Sequence, residues 1–314
     1  MKKNSKIFVA GHNGMVGSAI VRLLKKEGYD NLLLRGKKDL DLTNQSKVYN
    51  FFNTEKPDYV FLSAALVGGI GANMNSKADF FYINSMIQNN VIHQSYINNV
   101  KKLVFLGSSC IYPKSAKSPI NESQLLSGKL EETNEGYSIA KISGIKMCQF
   151  YKDQYGCNFI SVMPTNLYGP NDNYDLHNSH LIAALLRKFF EAKNKNFNQI
   201  EIWGDGTPIR EVMHVDDCAS ACLFLMLNYD GFSHVNIGTG EEYSVKQLVD
   251  IFIDKFRFNG AISFNSNYPN GMKRKKLDIS LLRDMGWKHS VSFTSGIEDM
   301  IIRLPDELEN FINQ

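Results

Sequence analysis

Two side chains four residues apart form the first pattern that could carry out chemistry. Tyr137 and Lys141 stand in Tyr-Ser-Ile-Ala-Lys, inside a helical pattern, so both side chains are expected on one face of a helix. A cation held near a phenol lowers the pKa of that phenol, which can then give or take a proton at a carbonyl. Ser108 and Ser109 follow an apolar run at 103–106, where a hydroxyl can hydrogen-bond a substrate oxygen. Together these residues indicate a proton-transfer site for a carbonyl substrate.

Three glycines follow the first apolar run of the chain at a regular spacing. Gly11, Gly14 and Gly17 come directly after 7–10 and open the amphipathic stretch 16–26. Glycine at such a strand-to-helix junction lets the backbone turn tightly and approach a pyrophosphate, which the free N–H groups and dipole of the helix then hold. The spacing G-x-x-G-x-x-G therefore predicts a dinucleotide site, with an ordinary tight turn as the alternative.

A basic turn follows the second apolar run. Arg35, Lys37 and Lys38 stand where an enzyme that uses NAD would place an acidic residue for the ribose 2′-hydroxyl. Cationic side chains suit a 2′-phosphate better, so the turn predicts NADP(H), unless it is a solvated surface turn. Asp39 and Asp41 come later and are expected nearer the adenine.

The elements that must position these groups show a βαβ rhythm. Short apolar runs, some of them continuous as expected for strands buried on both faces, alternate with amphipathic stretches such as 85–97. This rhythm predicts an α/β fold with a Rossmann-type doubly wound parallel sheet. The expected strands lie at 7–10, 31–34, 59–64, 103–106, 160–163 and 234–237.

The rhythm changes after Pro164, which predicts a smaller C-terminal α/β substrate lobe. The expected elements of this lobe are a helix over 181–192 capped by Asn178 or Ser179, a strand at 201–203 and a helix at 245–256. The two lobes would then interleave along the chain. The predicted nucleotide-binding domain comprises residues 1–165 plus about 212–240, and the predicted substrate lobe about 166–211 plus 241–314.

Composition and cysteine usage disfavour several other classes of protein. The 314 residues are 43% hydrophobic and 21% charged with a net charge of +3, so no global field favours nucleic acid or a membrane as partner. The five cysteines form no CxxC pair and are expected to be reduced thiols, with no metal site. No apolar run approaches the roughly 20 residues of a spanning helix, and the start is not that of a signal peptide. A cytoplasmic protein is expected.

Longer motifs extend these patterns over nearly the whole chain. They are Gly-His-x-Gly-Met-Val-Gly at 11–17, Gly-Ser-Ser-Cys-Ile-Tyr-Pro at 107–113, Met-Pro-Thr-Asn-Leu-Tyr-Gly-Pro at 163–170, Asn-Ser-His at 178–180 and His-Val-Asp-Asp at 214–217. With the Tyr-x-x-x-Lys pair they resemble the extended short-chain dehydrogenase/reductase superfamily and, within it, the GDP-L-fucose synthase family. The resemblance implies a 3,5-epimerase/4-reductase of GDP-4-keto-6-deoxy-D-mannose that uses NADP(H).

The resemblance also implies how the chemistry is divided. Inverting C3 and C5 beside a C4 ketone requires acid/base groups that remove a proton and return one. The family gives these roles to residues matching Cys110 and His180, and the reduction of C4 to residues matching Ser108, Tyr137 and Lys141. From the residues alone, Cys110 is equally well a small core residue and His180 a capping or core histidine.

Binding residues and a homodimer joined by paired helices follow from the same resemblance. The implied cofactor contacts are Gly11, Asn13, Gly14, Met15, Val16, Gly17, Arg35, Lys37, Lys38, Asp41, Leu106, Gly107, Lys141, Pro164, Asn166, Leu167 and His180. The implied contacts of the GDP-sugar are Ser109, Asn166, Lys188, Trp203, Arg210, Lys273 and Arg274. For the basic side chains among the latter, solvated surface charge is the alternative.

Two positions depart from the family pattern. Asn13 stands where a basic residue is common, so the preference for NADP rests on the turn at 35–38. Gly136 stands before the tyrosine where proline is usual, and a looser loop around the sugar is expected.

Three rival functions remain open at this point. A reductase of a related GDP-4-keto sugar, such as a heptose, would carry nearly the same motifs. A nucleotide-sugar 4-epimerase needs only the triad, so Cys110, His180 and the basic turn argue against it. A non-catalytic cofactor sensor would be expected to have a broken triad, whereas the triad here is complete.

Overall fold

A six-stranded parallel sheet forms the centre of the computed structural model, which describes residues 1–176, 178–268 and 270–312. All neighbouring strands of this sheet pair in parallel. In spatial order they are β2 (Leu32–Leu33), β1 (Ile7–Ala10), β3 (Tyr59–Leu62), β4 (Lys102–Leu106), β5 (Phe159–Pro164) and β9 (Val235–Ile237). The order reverses direction between β1 and β3, and ligands of such sheets bind beyond the carboxyl ends of the strands at that point.

Helices cover both faces of the central sheet. One face packs against α1 (Met15–Lys26), α7 (Val215–Asn228) and the short α9 (Ser280–Asp284). The other packs against α2 (Gln45–Glu55), α4 (Lys77–Ile97) and α5 (Glu135–Tyr155), with the short α3 (Ile70–Asn75) leading into α4. Because both faces are covered, every residue of β1, β4 and β5 is buried, and these strands are apolar except at Lys102 and Ser161.

The second lobe contains two small sheets. In one, β8 (Ile209–His214) pairs with β6 (Asn166–Tyr168), β10 (Glu242–Ser244) and β12 (Arg274–Lys275). In the other, β7 (Gln199–Trp203) pairs in parallel with β11 (Ala261–Asn265). A separate apolar core joins them to α6 (Leu181–Asn194), α8 (Val245–Phe256) and α10 (Phe293–Ile312).

The sequence-based fold class is confirmed, with differences at element ends. Helix α8 spans 245–256 as expected, because a capping box fixes its start: Ser244 accepts from the backbone of Gln247, whose side chain binds back. The strand expected at 59–64 ends at Leu62, and the helix expected from residue 85 starts at Lys77.

The expected cap of α6 is wrong. The helix begins at Leu181 with His180 at the N-cap position, in place of Asn178 or Ser179. The His180 side chain makes no capping hydrogen bond.

Strand β8 crosses the proposed domain boundary at 211/212, and the domain limits stay a prediction. Within the described residues, no helix combines the length and apolar character needed to cross a bilayer.

Candidate active site

A cavity of about 640 Å³ opens at the carboxyl ends of the central strands and reaches the second lobe. This volume lies in the range of small-molecule and cofactor sites. Among the residues predicted from the sequence, those that line it are Gly11, Asn13, Gly14, Met15, Val16, Gly17, Arg35, Lys37, Asp41, Leu106, Gly107, Ser108, Ser109, Cys110, Tyr137, Lys141, Pro164, Asn166, Leu167, His180 and Arg210. Nearly all predicted cofactor residues are therefore brought to one cavity, together with all five predicted catalytic residues.

The glycines between β1 and α1 form a cradle at one end of this cavity. Gly11 has a φ of +87°, and a Cβ on Gly17 would lie 2.0 Å from the Gly11 carbonyl oxygen, so neither position accepts a side chain without a backbone shift. Gly14 occupies the N-cap of α1, where no side chain caps the helix. The first N–H groups of α1 are thus available to a ligand, and the helix dipole favours an anionic one. This geometry fits a dinucleotide pyrophosphate.

Charged side chains follow at the adenosine end of the cavity. Arg35 lies against Glu55, with 2.7 Å between Nη2 and Oε1, and its guanidinium carbon lies 6.0 Å from the ring centre of Phe51. Lys37 lines the cavity, whereas Lys38 is not among the lining residues. Hydrogen bonds from Thr43 lower the pKa of Asp41. The turn thus offers Arg35 and Lys37 to a 2′-phosphate, which is the fit expected for NADP(H).

The predicted catalytic pair on α5, Tyr137 and Lys141, lies against the end of β4. Lys141 donates a hydrogen bond of 2.8 Å to the carbonyl of Leu106, and its Nζ lies 5.8 Å from the ring centre of Tyr137. Burial lowers the pKa of the Lys141 ammonium to about 7. Burial therefore disfavours the charged form of Lys141 at this position.

The prediction that Lys141 lowers the pKa of Tyr137 is wrong. Burial raises the pKa of the phenol, the charge on Cys110 raises it further, and a hydrogen bond with Ser108 offsets only part of the rise. The ammonium of Lys141 is itself destabilised by burial, so it does not supply the expected field. Tyr137 is consequently held in its protonated form, which suits a group that donates a proton.

Cys110 lies on a short 3₁₀ turn, Ser109–Ile111, directly after β4. Two hydrogen bonds hold the backbone of Cys110. Its N–H donates to Ser108 Oγ at 3.2 Å, and its carbonyl accepts from Ser138 Oγ at 2.9 Å. The thiol points at Lys275, whose Nζ lies 3.3 Å from Sγ. Burial raises the pKa of Cys110, but the Lys275 ammonium and the hydrogen bonds outweigh it, so the net shift is downward.

His180 reaches the same cavity from the start of α6. Burial, and then the nearby charge of Lys275, lower its pKa, so the ring is neutral near pH 7. The interpretation of His180 as a capping residue fails because its side chain does not cap α6. Cys110 and His180 thus lie in one cavity with Tyr137, as the family resemblance implies.

The basic residues of the second lobe divide between two places. Arg210 lines the cavity and is held by the carbonyl oxygens of Met272 and Asn270, at 2.7 and 2.8 Å. Lys188 and Trp203 are not among the lining residues: Lys188 donates to the carbonyl of Glu201 at 2.8 Å, and its Nζ lies 5.4 Å from the Trp203 ring centre.

The late basic run reaches the cavity at a different residue from those predicted. Lys273 and Arg274 do not line it, and Arg274 forms a bidentate pair with Glu242 at 2.6 and 2.7 Å. Lys275 lines it instead, because β12 pairs in parallel with β8 and places Lys275 beside Arg210. Because successive side chains of a strand point to opposite faces, Lys275 faces the cavity and Arg274 faces away from it. No sequence signal marks β12 as a strand, since it has two residues.

Comparisons with known proteins agree with this geometry. The model of the NAD dependent epimerase/dehydratase family matches residues 7–238. The chain belongs to this family. GDP-L-fucose synthase 1 of Arabidopsis thaliana is 52% identical over 295 residues, which are 94% of this chain and 91% of that protein. The predicted resemblance to GDP-L-fucose synthases is confirmed.

Two solved structures share the fold over nearly the whole chain. A GDP-6-OMe-4-keto-L-xylo-heptose reductase from C. jejuni is 40% identical with a TM-score of 0.92, covering 98% of this chain and 99% of its own. A GDP-L-fucose synthetase from Naegleria fowleri bound to NADP is 26% identical with a TM-score of 0.91, covering 98% and 96%.

This member of the epimerase/dehydratase family also carries polar groups in the cavity that sequence reasoning missed. Thr133 Oγ1 is buried without a hydrogen-bond partner, and Glu131 Oε2 lies 3.3 Å from Lys114 Nζ; Thr133 and Glu131 both line the cavity. They precede α5, next to Gly136, where a Cβ would lie 2.7 Å from the Lys77 carbonyl oxygen. Gly136 therefore packs tightly against the start of α4.

Proposed function

We propose that this chain is a GDP-L-fucose synthase, which epimerises GDP-4-keto-6-deoxy-D-mannose at C3 and C5 and reduces the C4 ketone with NADPH. One observation carries the proposal: Cys110 and His180, suited to exchange of carbon-bound protons, line the same cavity as Tyr137 and Lys141. A 4-epimerase or a cofactor sensor has no use for the first pair. The 52% identity with GDP-L-fucose synthase 1 of Arabidopsis thaliana supports the same assignment.

Epimerisation begins at the thiol. With its lowered pKa, Cys110 supplies a thiolate that takes the proton from C3 or C5, and the C–H electron pair moves towards the C4 oxygen as an enolate. A proton returned to the other face of that carbon inverts it. His180 is the partner group: neutral in the resting site, it takes up a proton from solvent and delivers it to carbon.

Reduction uses the groups on α5. Bound NADPH supplies the hydride for C4. Tyr137, protonated because burial raises its pKa, donates its phenolic proton to the C4 oxygen as negative charge develops there. Ser108 also lines the cavity, and the proposal gives its hydroxyl a hydrogen bond to the same oxygen. The phenolate left behind favours uptake of a solvent proton by Lys141, which the Leu106 carbonyl holds in place.

The cofactor and substrate contacts follow from the same cavity. Arg35 and Lys37 bind the 2′-phosphate and the glycine cradle binds the pyrophosphate. Arg210 binds the diphosphate of the GDP-sugar, whereas Lys275 lies beside the thiol of Cys110. Lys188, Trp203, Lys273 and Arg274 lie outside the cavity lining, so we propose them as substrate contacts only in a state where the second lobe closes on the nucleotide.

The proposal extends to assembly and compartment. Tyr82 of α4 and Phe150 of α5 are each 62% exposed, and Phe81 and Tyr155 of the same two packed helices are each 46% exposed. We infer a homodimer joined through α4 and α5, because such a contact would bury this apolar surface.

The five cysteines are free thiols, which suits the reducing cytoplasm.

Solvent exchange tests the epimerase half. In D₂O without NADPH, the wild type should incorporate deuterium at C3 and C5 of the keto-sugar, measured by NMR. Cys110→Ser should lose most of this incorporation, because a hydroxyl holds its proton far more tightly than a thiol of pKa about 8.5. Cys157→Ser is the matched control, since Cys157 lies outside the cavity lining. Deuterium uptake by Cys110→Ser at the wild-type rate would make the cysteine a packing residue.

A second candidate function rests on the C. jejuni heptose reductase, with its TM-score of 0.92. A seven-carbon GDP-4-keto sugar adds one hydroxymethyl group to the same chemistry. The two substrates should be offered side by side with NADPH. Higher kcat/KM for the seven-carbon sugar would replace the fucose assignment with a heptose one.

A further inference from the structure

A lysine from the far end of the chain makes direct contact with the reactive thiol. Lys275 Nζ lies 3.3 Å from Cys110 Sγ, and both residues line the cavity. Lys275 is 8% exposed, so water offers its ammonium little solvation. A buried ammonium needs a counter-charge. The contact therefore joins two groups whose ionised forms stabilise each other.

The backbone fixes Lys275 independently of its side chain. Strand β12 pairs with β8 in the register that sets Lys275 beside Arg210. On either side, the Ile209 N–H donates to the Lys273 carbonyl at 2.9 Å, and the Leu277 N–H donates to the carboxylate of Glu211 at 2.9 Å. The backbone position of Lys275 is thus fixed by strand pairing and by hydrogen bonds on either side of it.

Several other charged or titratable groups face Cys110 from the elements around it. Arg210 of β8 favours an anion at the thiol, and Tyr137 of α5 is disfavoured as a phenolate by that anion. His180, before α6, feels the charge of Lys275 and is held neutral. Lys141 and Glu131 also line the cavity. Among these groups, Lys275 is the one whose hydrogen bond to the sulfur the structure records.

We propose that Lys275 is a positioning residue that holds Cys110 as a thiolate in an ammonium–thiolate pair before substrate binds. The base role of that thiolate rests on the proposed function. When Cys110 takes the proton from carbon, the proton resides on sulfur and the electron pair on the enolate, while Lys275 keeps its own proton. The ammonium, left without its anion, then lies free to stabilise the negative charge of the enolate.

The pH dependence of alkylation of Cys110 tests the pair without any substrate. The rate of reaction with iodoacetamide, resolved for each cysteine by mass spectrometry, follows the thiolate fraction. In the wild type the midpoint for Cys110 should lie below the value of about 8.5 of a free thiol. Lys275→Met should move it upwards by about one pH unit or more, the usual effect of an opposite charge at this range.

Two matched variants separate charge from packing. Lys276→Met removes one charge from the adjacent residue, which lies 3.5 Å from Glu242, and should leave the midpoint of Cys110 unchanged. Lys275→Arg keeps a cation and should restore most of the shift. A midpoint in Lys275→Met equal to that of the wild type, with the protein still binding NADPH, overturns the inference. If Lys275→Met does not bind NADPH and its circular dichroism spectrum is that of an unfolded protein, the alkylation midpoint of Cys110 is measured in Lys275→Gln instead.

Failure of the inference is distinguishable from failure of the proposed function. If Lys275→Met raises the alkylation midpoint but Cys110→Ser exchanges deuterium normally, the pair exists and the epimerase assignment falls. If Cys110→Ser abolishes exchange while Lys275→Met leaves the midpoint in place, the epimerase stands and Lys275 does not ionise its thiol.

Discussion

Replacing Lys141 with methionine should change how the stability of the protein depends on pH. Burial lowers the pKa of this ammonium from 10.5 to about 7, with Lys141 3% exposed. Between these values the unfolded chain binds a proton that the folded chain does not, so the free energy of unfolding rises with pH across this window. The slope for one such group is about 1.4 kcal/mol per pH unit.

The magnitude follows from the size of the shift. At about pH 8 the lysine costs the folded protein about 3 kcal/mol, and from about pH 8 to about pH 9 the wild type should recover about 1.4 kcal/mol relative to Lys141→Met. The variant also leaves the carbonyl of Leu106 without its hydrogen bond, which costs about 1–3 kcal/mol. That cost does not vary with pH, so the difference in slope isolates the buried ammonium.

Urea unfolding of both proteins, without added cofactor, measures this difference at a series of pH values. Other titrating groups affect both chains equally and cancel in the comparison. The variant should lose C4 reduction, while its unfolding free energy should depend less steeply on pH than that of the wild type. Parallel curves from about pH 8 to about pH 9 would show that Lys141 ionises as it does in water, and the account of its environment would be wrong.

Three further substitutions test the reductase half and its cofactor site. Tyr137→Phe removes the proton donor and keeps the ring, so kcat for NADPH oxidation should fall by about 10²-fold while NADPH binding persists; near-normal turnover would remove Tyr137 from the mechanism. Lys37→Ala should raise KM for NADPH more than for NADH, because only NADPH loses a charge-assisted contact. Lys38→Ala should leave the ratio of the two KM values, for NADPH and NADH, unchanged, since Lys38 does not line the cavity. A selective rise in KM for NADPH in Lys38→Ala, and not in Lys37→Ala, would assign the 2′-phosphate to Lys38.

The first half of the site could be predicted because local rules govern it. The spacing of Gly11, Gly14 and Gly17 is set by a single strand-to-helix junction, and Tyr137 and Lys141 share a face because they lie on one helix. Such features depend on residues close in sequence. The central sheet follows for the same reason, since continuous apolar runs identify strands covered on both faces.

The second half depends on contacts between distant residues, and there several predictions fail although His180 and Arg210 line the cavity as expected. Lys275 was missed because β12 is a strand only through its pairing with β8, and the residues on either side of it looked equally suitable. The pKa of Tyr137 was predicted in the wrong direction because burial, which no local pattern reveals, raises it. His180 was placed beyond the expected cap because Asn178 and Ser179 are better capping residues by type.

The short strand β12 also bears on how the site matures during translation. Domains tend to fold from the N-terminus as they leave the ribosome. The glycine cradle, Cys110 and Tyr137 all emerge well before Lys275. A nascent chain therefore completes its dinucleotide cradle while the thiol still lacks its cation. If Lys275 holds Cys110 as a thiolate, that ionised form is favoured only after β12 has been synthesised and has paired with β8.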